Sequence, residues 1–560
     1  MYELIFPIIA LPFLSAIVLQ LMADKMRRSV VLISVTVAWI TLVLAGFATW
    51  SAITGGGEVR EIELQSGWGI LRFDSLGVLM CLVISAISLV VRIYSLRYMI
   101  EEPGYVRFFT LLDLMSGTLY LLVLSGDLIT LLIAWHLISV WLYFLLGHDM
   151  RSQTAWRYAF WTWITYRIGD VPLVIAAILL YQAYGSWSLS TIFEGLANQN
   201  QIEMIFFLPL PEVVGGLIAL SAFARSAQFL LHTWLPYSMA GPTPVSALMH
   251  AGIVNAGGFL INRFSPVFVE TDLVLHWVFL VGLVTAVIGS LLMLVQNDIK
   301  KALGYSTMGQ MGFMVMECGL GAFSLAVFHL IAHGLFKGTL FLSAGDVIGK
   351  ARQNDGVPRD QLYSYIVEKN PVKSRMPWLL MALLTLLLPV TILLLAHWIV
   401  SEDFYQKQGA IVLLFFGWVT GAQLIFVTYR MRSQNLWRLF SLTVGSFVIV
   451  IVGYILISHV FDLYLYPDED FRKRIYEAAS IDLLWFSILI GILTLVIVSG
   501  WVRTYYVERN SGRQMHEQIV SRKTTYALIA NELYINAFYA YMSRKMEKLA
   551  LRINAWLRWL

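Results

Sequence analysis

Apolar segments of about 20 residues, the length that crosses a bilayer as a helix, follow one another along almost the whole chain. Lipid offers the backbone no hydrogen-bond partners, so each segment has to satisfy its own N–H and C=O groups, as an α-helix does. The composition agrees, because 59% of the 560 residues are hydrophobic and 13% are charged. Soluble domains carry roughly 25% charged residues. The sequence therefore predicts an all-α polytopic membrane protein.

Hydropathy predicts about fifteen transmembrane helices. The N-terminal segment MYELIFPIIALPFLSAIVLQ lacks a basic start and a small-residue cleavage site, so we expect a retained first span rather than a signal peptide. The spans define a transmembrane domain over residues 1–504, followed by a tail over residues 505–560. The predicted span centres lie near Pro12, Leu42, Ser85, Thr118, Ala134, Pro172, Gly216, Val254, Leu283, Gly309, Leu335, Thr385, Leu414, Val448 and Ile490.

Lysine and arginine cluster after most odd-numbered spans, and this asymmetry predicts the orientation. The loops on the opposite side are acidic or mixed, as in Glu58–Glu63, Glu194–Glu203 and Asp468–Asp470. We therefore expect a multi-pass protein of the cell inner (cytoplasmic) membrane, with its N-terminus outside and its C-terminus in the cytoplasm. The basic residues are Lys25, Arg27, Arg28, Arg92, Arg97, Arg107, Arg151, Arg157, Lys300, Lys301, Lys350, Arg352, Arg430 and Arg432.

The last part of the tail has the pattern of a basic amphipathic helix. Such a helix either lies on the membrane surface or docks a cytoplasmic partner, and the sequence leaves both interpretations open. Its pattern interleaves Arg522, Lys523, Arg544, Lys545, Lys548, Arg552 and Arg558 with Tyr534, Phe538, Trp556 and Trp559.

The stretch Ser221–Pro266 is apolar enough to enter the membrane, yet it is polar at several points and broken in the middle at Gly241–Pro244. Ionisable groups at membrane depth are costly and mark ion paths. A helix broken at that depth needs a protein-lined or water-lined cavity. The stretch therefore predicts an ion pathway. Its polar residues are Arg225, His232, His250, Asn255 and Asn262.

The predicted eleventh span places His329, His333 and Lys337 four residues apart, on one helix face. Two histidines at this spacing can bind zinc, but the neighbouring lysine and the lack of a nearby carboxylate or thiolate in sequence favour a proton relay. The alternative is a structural role, in which these side chains only form hydrogen bonds with neighbouring helices.

Other ionisable residues accompany this relay. Arg167 and Asp170 stand three residues apart in the sixth span, where they form either part of the pathway or a structural ion pair. His136, in the fifth span, has the same two interpretations, relay or core residue. Asp298 lies either at a channel mouth or simply at the membrane interface.

Several classes of function are not indicated. Cys81 and Cys318 both lie in apolar runs, so the sequence predicts neither a disulfide framework nor a thiolate metal site. We expect no metal and no cofactor in this chain. The net charge of +4 is too modest to indicate a nucleic-acid partner.

The motifs of this chain resemble those of the antiporter-like subunits of respiratory complex I and the Mrp cation antiporters. The resemblance covers roughly Asp74–Gly349, through RFDSLGVLMCLVISAISLVVRIYSLRYM, GYVRFF, TYRIGD, ARSAQFLLHTWLPYSMAGPTPVSALMHAG, NDIKKALGYSTMGQMG and FHLIAHGLFKGTLFL. It implies a helical bundle of two inverted repeats, each with a half-channel around a broken helix. By the same resemblance His250 is the central relay histidine, Arg167 and Asp170 are the family's charged pair, and His329, His333 and Lys337 form the second half-channel.

The chain departs from this family pattern at two positions. His136 stands where the family has a glutamate, and Arg225 stands where it has the lysine of the broken helix. Arginine stays protonated, so we expect Arg225 to act as a fixed charge near His250. In the second broken helix, the counterpart of a further lysine is His397 by spacing from Pro389, or Glu402 by the local wording.

The wording MHAGIVNAGGFLINRFSP is most similar to the membrane subunits of DAB-type inorganic-carbon transporters. That resemblance implies a non-enzymatic, cation-conducting subunit, for which the histidines favour a proton. It also implies a cytoplasmic, zinc-containing, carbonic-anhydrase-like (DabA-like) partner that carries the catalytic chemistry. Two alternatives remain: a proton-pumping module of a complex I relative, and a subunit of a Mrp sodium/proton antiporter.

Overall fold

In the computed structural model the chain forms α-helices that are joined mostly by short loops. The structure describes residues 2–353, 436–480 and 527–557, apart from gaps at 23–26, 56–58, 65–68, 199–203, 206, 239–240 and 297, and scattered residues between 379 and 391 and between 488 and 502. The helices are α1 (Ile5–Gln20), α2 (Arg27–Thr54), α3 (Ser75–Tyr98), α4 (Tyr105–Val123), α5 (Leu128–Leu146), α6 (Gln153–Tyr184), α7 (Leu189–Asn198), α8 (Leu210–Arg225), α9 (Trp234–Tyr237), α10 (Thr243–Ala251), α11 (Ala256–Arg263), α12 (Ser265–Phe268), α13 (Leu273–Leu294), α14 (Ile299–Gly319), α15 (Phe323–Gln353), α16 (Leu436–Leu465), α17 (Glu469–Ala478) and α18 (Ile535–Leu557).

Two small antiparallel hairpins accompany the helices. Strands β1 (Arg60–Glu63) and β2 (Ile70–Phe73) pair with Arg60 opposite Phe73, and β3 (Met204–Ile205) pairs with β4 (Leu208–Pro209). Both hairpins lie between long helices, so the all-α prediction holds for the body of the fold.

The helical prediction is confirmed where the structure describes the chain, but the predicted number of spans is not. Every predicted centre from Pro12 to Leu335, and also Val448, falls in a helix or in the 3-10 turn Ile253–Asn255. The described residues contain 8 helices that are long and apolar enough to cross a membrane. The predicted centres Thr385, Leu414 and Ile490 lie outside the described residues.

Side-chain caps fix where several helices begin. Asp74 accepts a hydrogen bond from the backbone N–H of Gly77 at 2.8 Å, and Asp127 accepts one from Thr130 at 2.7 Å. Ser152 caps α6 in the same way. Each cap satisfies an N–H that the first turn leaves unpaired, which stabilises a helix by about 1 kcal/mol. Asp127 therefore separates α4 from α5, two apolar runs that are closely spaced in the sequence.

The interruption of the polar stretch begins earlier than the sequence indicates. Helix α8 ends at Arg225, and the linker after it contains Ala227 and Leu230 with φ values of 48° and 72°. This left-handed region is sparsely populated by residues other than glycine. The chain becomes helical again at α9 and, after Pro242, at α10. Of the predicted break Gly241–Pro244, Gly241 and Pro242 are non-helical, whereas Thr243 and Pro244 already belong to α10.

Contacts between distant segments distinguish the two ends of the bundle. At one end, Lys301 and Tyr237 both contact Glu532, which precedes α18. At the other end, Arg474 of α17 pairs with Glu270. The charge pattern predicts that the first end faces the cytoplasm, and we call the two ends the inner end and the outer end on that basis.

Candidate ion pathway

The carboxylate of Asp170 is the centre of the first group of ionisable residues, which we call the Asp170 cluster: His136, Arg167, Asp170 and Arg225. Arg167 pairs with Asp170 at 2.7 Å, as predicted from their spacing on α6. Arg225 and His136 approach the same carboxylate at 3.4 and 3.5 Å. Three helices, α5, α6 and α8, therefore meet at one carboxylate.

The end of α8 places the guanidinium of Arg225 between aromatic rings. Its central carbon lies 4.1 Å from the ring centroid of Tyr166 and 4.5 Å from that of Trp135. It also donates a hydrogen bond to the carbonyl oxygen of Trp135. The side chain is 1% exposed. Such a desolvated cation over two rings is held by cation–π attraction of about 2 kcal/mol or more, which suits a fixed charge.

The structure places His136 at the surface of the chain, so of its two interpretations the core residue is not favoured, and the relay role stays a prediction. Its side chain is 51% exposed. The reason is its place on α5, because it shares a helix face with Ile129 and Ile133, which are also exposed. The ring contacts Arg167 and so stays attached to the Asp170 cluster from the surface of the chain.

His250 lies on α10 and faces α15. Its side chain is 0% exposed, and its ring stacks on Phe341 with centroids 4.3 Å apart and an interplanar angle of 13°. The two helices approach closely because position 334 is glycine, where a Cβ atom would lie 2.4 Å from the carbonyl oxygen of Ala251. Gly334 therefore allows His250 to sit against the helix that carries the other predicted relay residues.

The predicted polar face of α15, which we call the α15 stripe (His329, His333 and Lys337), is buried against α14. Lys337 donates a hydrogen bond to Ser306 Oγ at 2.7 Å, and the rings of His329 and His333 are 6.3 Å apart. Neither ring nitrogen of His250 or His333 has a hydrogen-bond partner among the described residues. Buried polar groups normally bond protein or water, and an imidazole can both accept and donate a proton near neutral pH.

Sequence reasoning missed two buried carboxylates. Glu317, at the end of α14, has both oxygens 3.1 Å from Nδ1 of His329. Glu532, which precedes α18, is buried at the inner end. Tyr237 and Asn536 donate hydrogen bonds to its carboxylate, and Lys301 forms an ion pair with it. For Glu317 the sequence did contain a signal, because this glutamate stands inside the otherwise apolar run MGFMVMECG. The histidines were selected by the same criterion.

The remaining predicted residues fall as follows. Asp298 is exposed and caps α14 by accepting from the N–H of Lys301 at 2.9 Å, so the structure gives it a capping role at the inner end. His397 and Glu402 lie outside the described residues. The described contacts of Arg225 and those of His250 involve different partners. The expectation that Arg225 acts as a fixed charge near His250 stays a prediction.

No group of three or more His, Cys, Asp and Glu side chains within the described part of the chain could hold a metal ion. The described helices instead bring together two sets of ionisable groups, the Asp170 cluster and His250 with the α15 stripe. Groups of this kind, where they are buried in membrane proteins, typically serve ion paths.

Two family profiles match this chain. Residues 125–422 match the family described as NADH:quinone oxidoreductase/Mrp antiporter, TM. Residues 63–109 match the N-terminal region of chain 5 of NADH-ubiquinone oxidoreductase (complex I). The first match alone covers more than half of the chain and includes the Asp170 cluster, His250 and the α15 stripe.

The chain is similar to inorganic carbon transporter subunits and to oxidoreductase subunits. The probable inorganic carbon transporter subunit DabB1 of Halothiobacillus neapolitanus is 52% identical over 549 residues, which are 98% of this chain and 98% of that protein. The NAD(P)H-quinone oxidoreductase chain 5 of Synechocystis sp. is 35% identical over 368 residues, which are 62% of this chain. The match spans 53%, about half, of that oxidoreductase chain.

Solved structures share the fold. A chain of the Mrp complex from Dietzia sp. superposes with a TM-score of 0.60 at 22% identity, covering 98% of this chain and 60% of that one. A chain of an archaeal membrane-bound sulfane sulfur reductase superposes with a TM-score of 0.54 at 19% identity, covering 88% of this chain and 94% of that one. The chain therefore belongs to the antiporter-like membrane subunits of the NADH:quinone oxidoreductase/Mrp antiporter family and, within it, to the group that contains the inorganic carbon transporter subunit DabB1.

Proposed function

We propose that this chain is the cation-conducting membrane subunit of an energy-coupled inorganic-carbon transporter. The observation that carries the proposal is the 52% identity to a probable inorganic carbon transporter subunit, which extends over 98% of both chains. The oxidoreductase relative, in contrast, matches over only part of its length. The substrate class, CO₂ or bicarbonate, rests on that identity.

The buried α15 stripe supports a proton as the conducted cation. Lys337 and His333 are 2% and 5% exposed, and ionisable groups at membrane depth persist mainly where they serve an ion path. Imidazole accepts and donates protons near neutral pH. Protons enter from outside and pass along the stripe beside His250. Arg225 stays charged and acts as a fixed electrostatic element around Asp170.

Hydration chemistry is then the task of a cytoplasmic, zinc-containing, carbonic-anhydrase-like partner. The position of α18 supports such a partner, because Tyr539 donates a hydrogen bond to Leu230 O and its ring packs on Trp161, which ties the helix to the predicted cytoplasmic end. The helix also exposes Phe538, Met546 and Trp556. The membrane-surface interpretation of the same helix is the alternative.

Two experiments test this function. The first is uptake of labelled bicarbonate in a bacterial host whose growth in air depends on an introduced carbon-uptake system. His250→Ala and Lys337→Ala should each abolish growth and uptake at unchanged membrane abundance, and intact uptake in either variant would contradict the proposal. The second is a pull-down through an N-terminal tag. A single soluble zinc protein is the expected partner, whereas a redox assembly would refute it.

The second candidate function is a proton-pumping module of a complex I-type oxidoreductase or a subunit of a Mrp antiporter. The match of residues 125–422 to that combined family favours it. A pump module should copurify with quinone-binding and iron–sulfur subunits. A Mrp subunit should copurify with several small membrane proteins and give sodium-dependent transport.

A further inference from the structure

Glu317 is a buried carboxylate that the pathway described above does not use. It lies in the last turn of α14 with its side chain 2% exposed. Both of its oxygens are 3.1 Å from Nδ1 of His329, the first residue of the α15 stripe. A carboxylate removed from water is costly unless it is paired and hydrogen-bonded. The contact with His329 therefore offsets the cost of burying Glu317.

Glu317 belongs to a second polar row, on α14, that faces the α15 stripe. Ser306, Gln310 and Glu317 are separated by four and seven residues, which puts them on one helix face. Each contacts the stripe: Ser306 Oγ accepts from Lys337 at 2.7 Å, and Gln310 Oε1 lies 2.9 Å from Nε2 of His329. The two rows run antiparallel and end together at Glu317 and His329.

The contacts of His329 favour its protonated form. The carboxylate of Glu317 lies beside Nδ1 and the amide oxygen of Gln310 beside Nε2, and both of these oxygens can accept a hydrogen bond. Two acceptors favour a proton on each ring nitrogen, which is the imidazolium form. The arrangement is therefore a carboxylate that holds a protonated imidazole, which is what a loaded proton site requires.

The position of this pair is the end of the bundle away from the tail. Lys301, at the start of α14, contacts Glu532 at the inner end. Glu317 stands 16 positions after Lys301, which corresponds to about 24 Å of helix at 1.5 Å per residue. The helix itself ends at Gly319. Glu317 and His329 therefore lie at the outer end, near the boundary of the membrane.

Other polar groups lie at this end of the bundle. Asp462 of α16 accepts a hydrogen bond from Ser324 at the start of α15. Tyr466 donates one to Asn262 at 3.0 Å. Since α11, α13, α14, α15, α16 and α17 all contribute to this end, several groups besides Glu317 can change the pH response, and the test therefore replaces Glu317 itself. The titratable and charged groups that these helices and the residue after α16 place here include Cys318, His329, Arg263, His276, Asp462, Tyr466 and Arg472.

We propose that Glu317 and His329 form the outer proton-loading site of the α15 stripe. The inference rests on the proposed function, since it names where the conducted proton first binds. A hydronium ion outside gives a proton to the pair, and His329 passes a proton to His333 on the next turn, whose ring centroid lies 6.3 Å away. Water is left outside, and the proton count is unchanged.

The test measures initial uptake of labelled bicarbonate against outside pH at fixed inside pH, with the full chain in cells. In Glu317→Gln the carboxylate that favours the imidazolium is lost, so the half-maximal outside pH should fall by about one unit. At an outside pH where wild type is half-maximal, uptake should fall about fivefold, because the loaded fraction falls from one half to about one eleventh. Glu317→Asp should restore most of the response.

The matched control is Glu212→Gln, another outer-end carboxylate, whose oxygens accept from the backbone N–H groups of Asp272, Leu273 and Val274. A merely structural role predicts that Glu317→Gln, like this control, leaves the pH midpoint unchanged, and that result overturns the inference. If Glu317→Gln fails to reach the membrane, His329→Gln decides: it removes the imidazole that passes the proton and must abolish uptake, and uptake that survives it overturns the inference. Uptake that survives Lys337→Ala refutes the proposed function instead.

Discussion

Replacing Gly334 by alanine tests whether the close approach of α10 to α15 is needed for function. A Cβ atom at this position would lie 2.4 Å from the carbonyl oxygen of Ala251, about 1 Å short of ordinary contact. The obstructing atom belongs to the backbone of α10, so relief requires the helices to separate. Gly338, one turn along the same helix, is the matched control, because its Cβ would meet Ala251 Cβ at an ordinary 3.5 Å.

The magnitude follows from these two distances. Both substitutions remove a glycine from a helix interior, which stabilises by about 1 kcal/mol. Overpacking at Gly334 costs about 1–3 kcal/mol, whereas Gly338 carries no such cost. We therefore expect Gly338→Ala to be as stable as wild type or more stable, and Gly334→Ala to be less stable than Gly338→Ala by about 1–3 kcal/mol. A 1 Å separation of His250 from the stripe should also lower uptake on the order of tenfold or more.

Two assays measure these effects. Thermal unfolding of the purified proteins in one detergent compares their stabilities, and labelled bicarbonate uptake at matched membrane abundance compares their transport. If Gly334→Ala unfolds and transports like Gly338→Ala, then His250 does not depend on this contact and the assembled pathway is wrong.

Three further predictions concern other parts of the chain. Burial and the nearby Arg107 guanidinium lower the pKa of His148, in the loop after α5, to about 4. The stability that depends on neutral His148 is fully present above pH 6.5. As the pH falls from 6.5 towards 4, the free energy of unfolding should fall by up to about 3 kcal/mol, measured by unfolding titrations at several pH values. Asp170→Asn leaves Arg225 buried without its carboxylate and should destabilise by about 3–5 kcal/mol, measured as a lower unfolding temperature. Glu532→Gln removes a buried charge at the inner end and should weaken the attachment of α18 by about 1.5–3 kcal/mol of free energy. The measurement is amide hydrogen exchange over residues 535–557, which should become faster.

Controls separate these effects from general damage. His148→Gln cannot titrate, so it should lose less stability than wild type on acidification; equal losses would refute the assignment. Asp272→Asn alters an 84% exposed carboxylate and should change stability by less than about 0.5 kcal/mol. Arg552→Gln alters an exposed residue of α18. If it releases the helix as much as Glu532→Gln does, the buried contact is not the anchor.

The helices and the relay face were predictable because both depend on local spacing. An apolar run of sufficient length has to be helical in lipid, and His329, His333 and Lys337 share a face by periodicity alone. The Arg167–Asp170 pair follows from the same rule. These features need no information about which helices are neighbours.

The remaining features depend on tertiary contacts that spacing does not encode. Glu317 acquires meaning only when the end of α14 meets His329, and Glu532 only when a segment more than 200 residues away in sequence contacts Lys301. The exposure of His136 depends on which face of α5 meets other helices. The helix is interrupted after Arg225 rather than at Gly241, because Ala227 and Leu230 adopt left-handed backbone conformations. Alanine and leucine rarely adopt this conformation, so the sequence does not predict it.

The most direct test of the central claim is labelled bicarbonate accumulation in vesicles or cells with an imposed inward proton gradient, compared between wild type and Lys337→Ala. The proposed function predicts that the proton gradient drives accumulation in wild type, that a protonophore abolishes it, and that the variant accumulates no label. Accumulation that follows a sodium gradient instead, or that persists in Lys337→Ala, would contradict proton conduction along the α15 stripe.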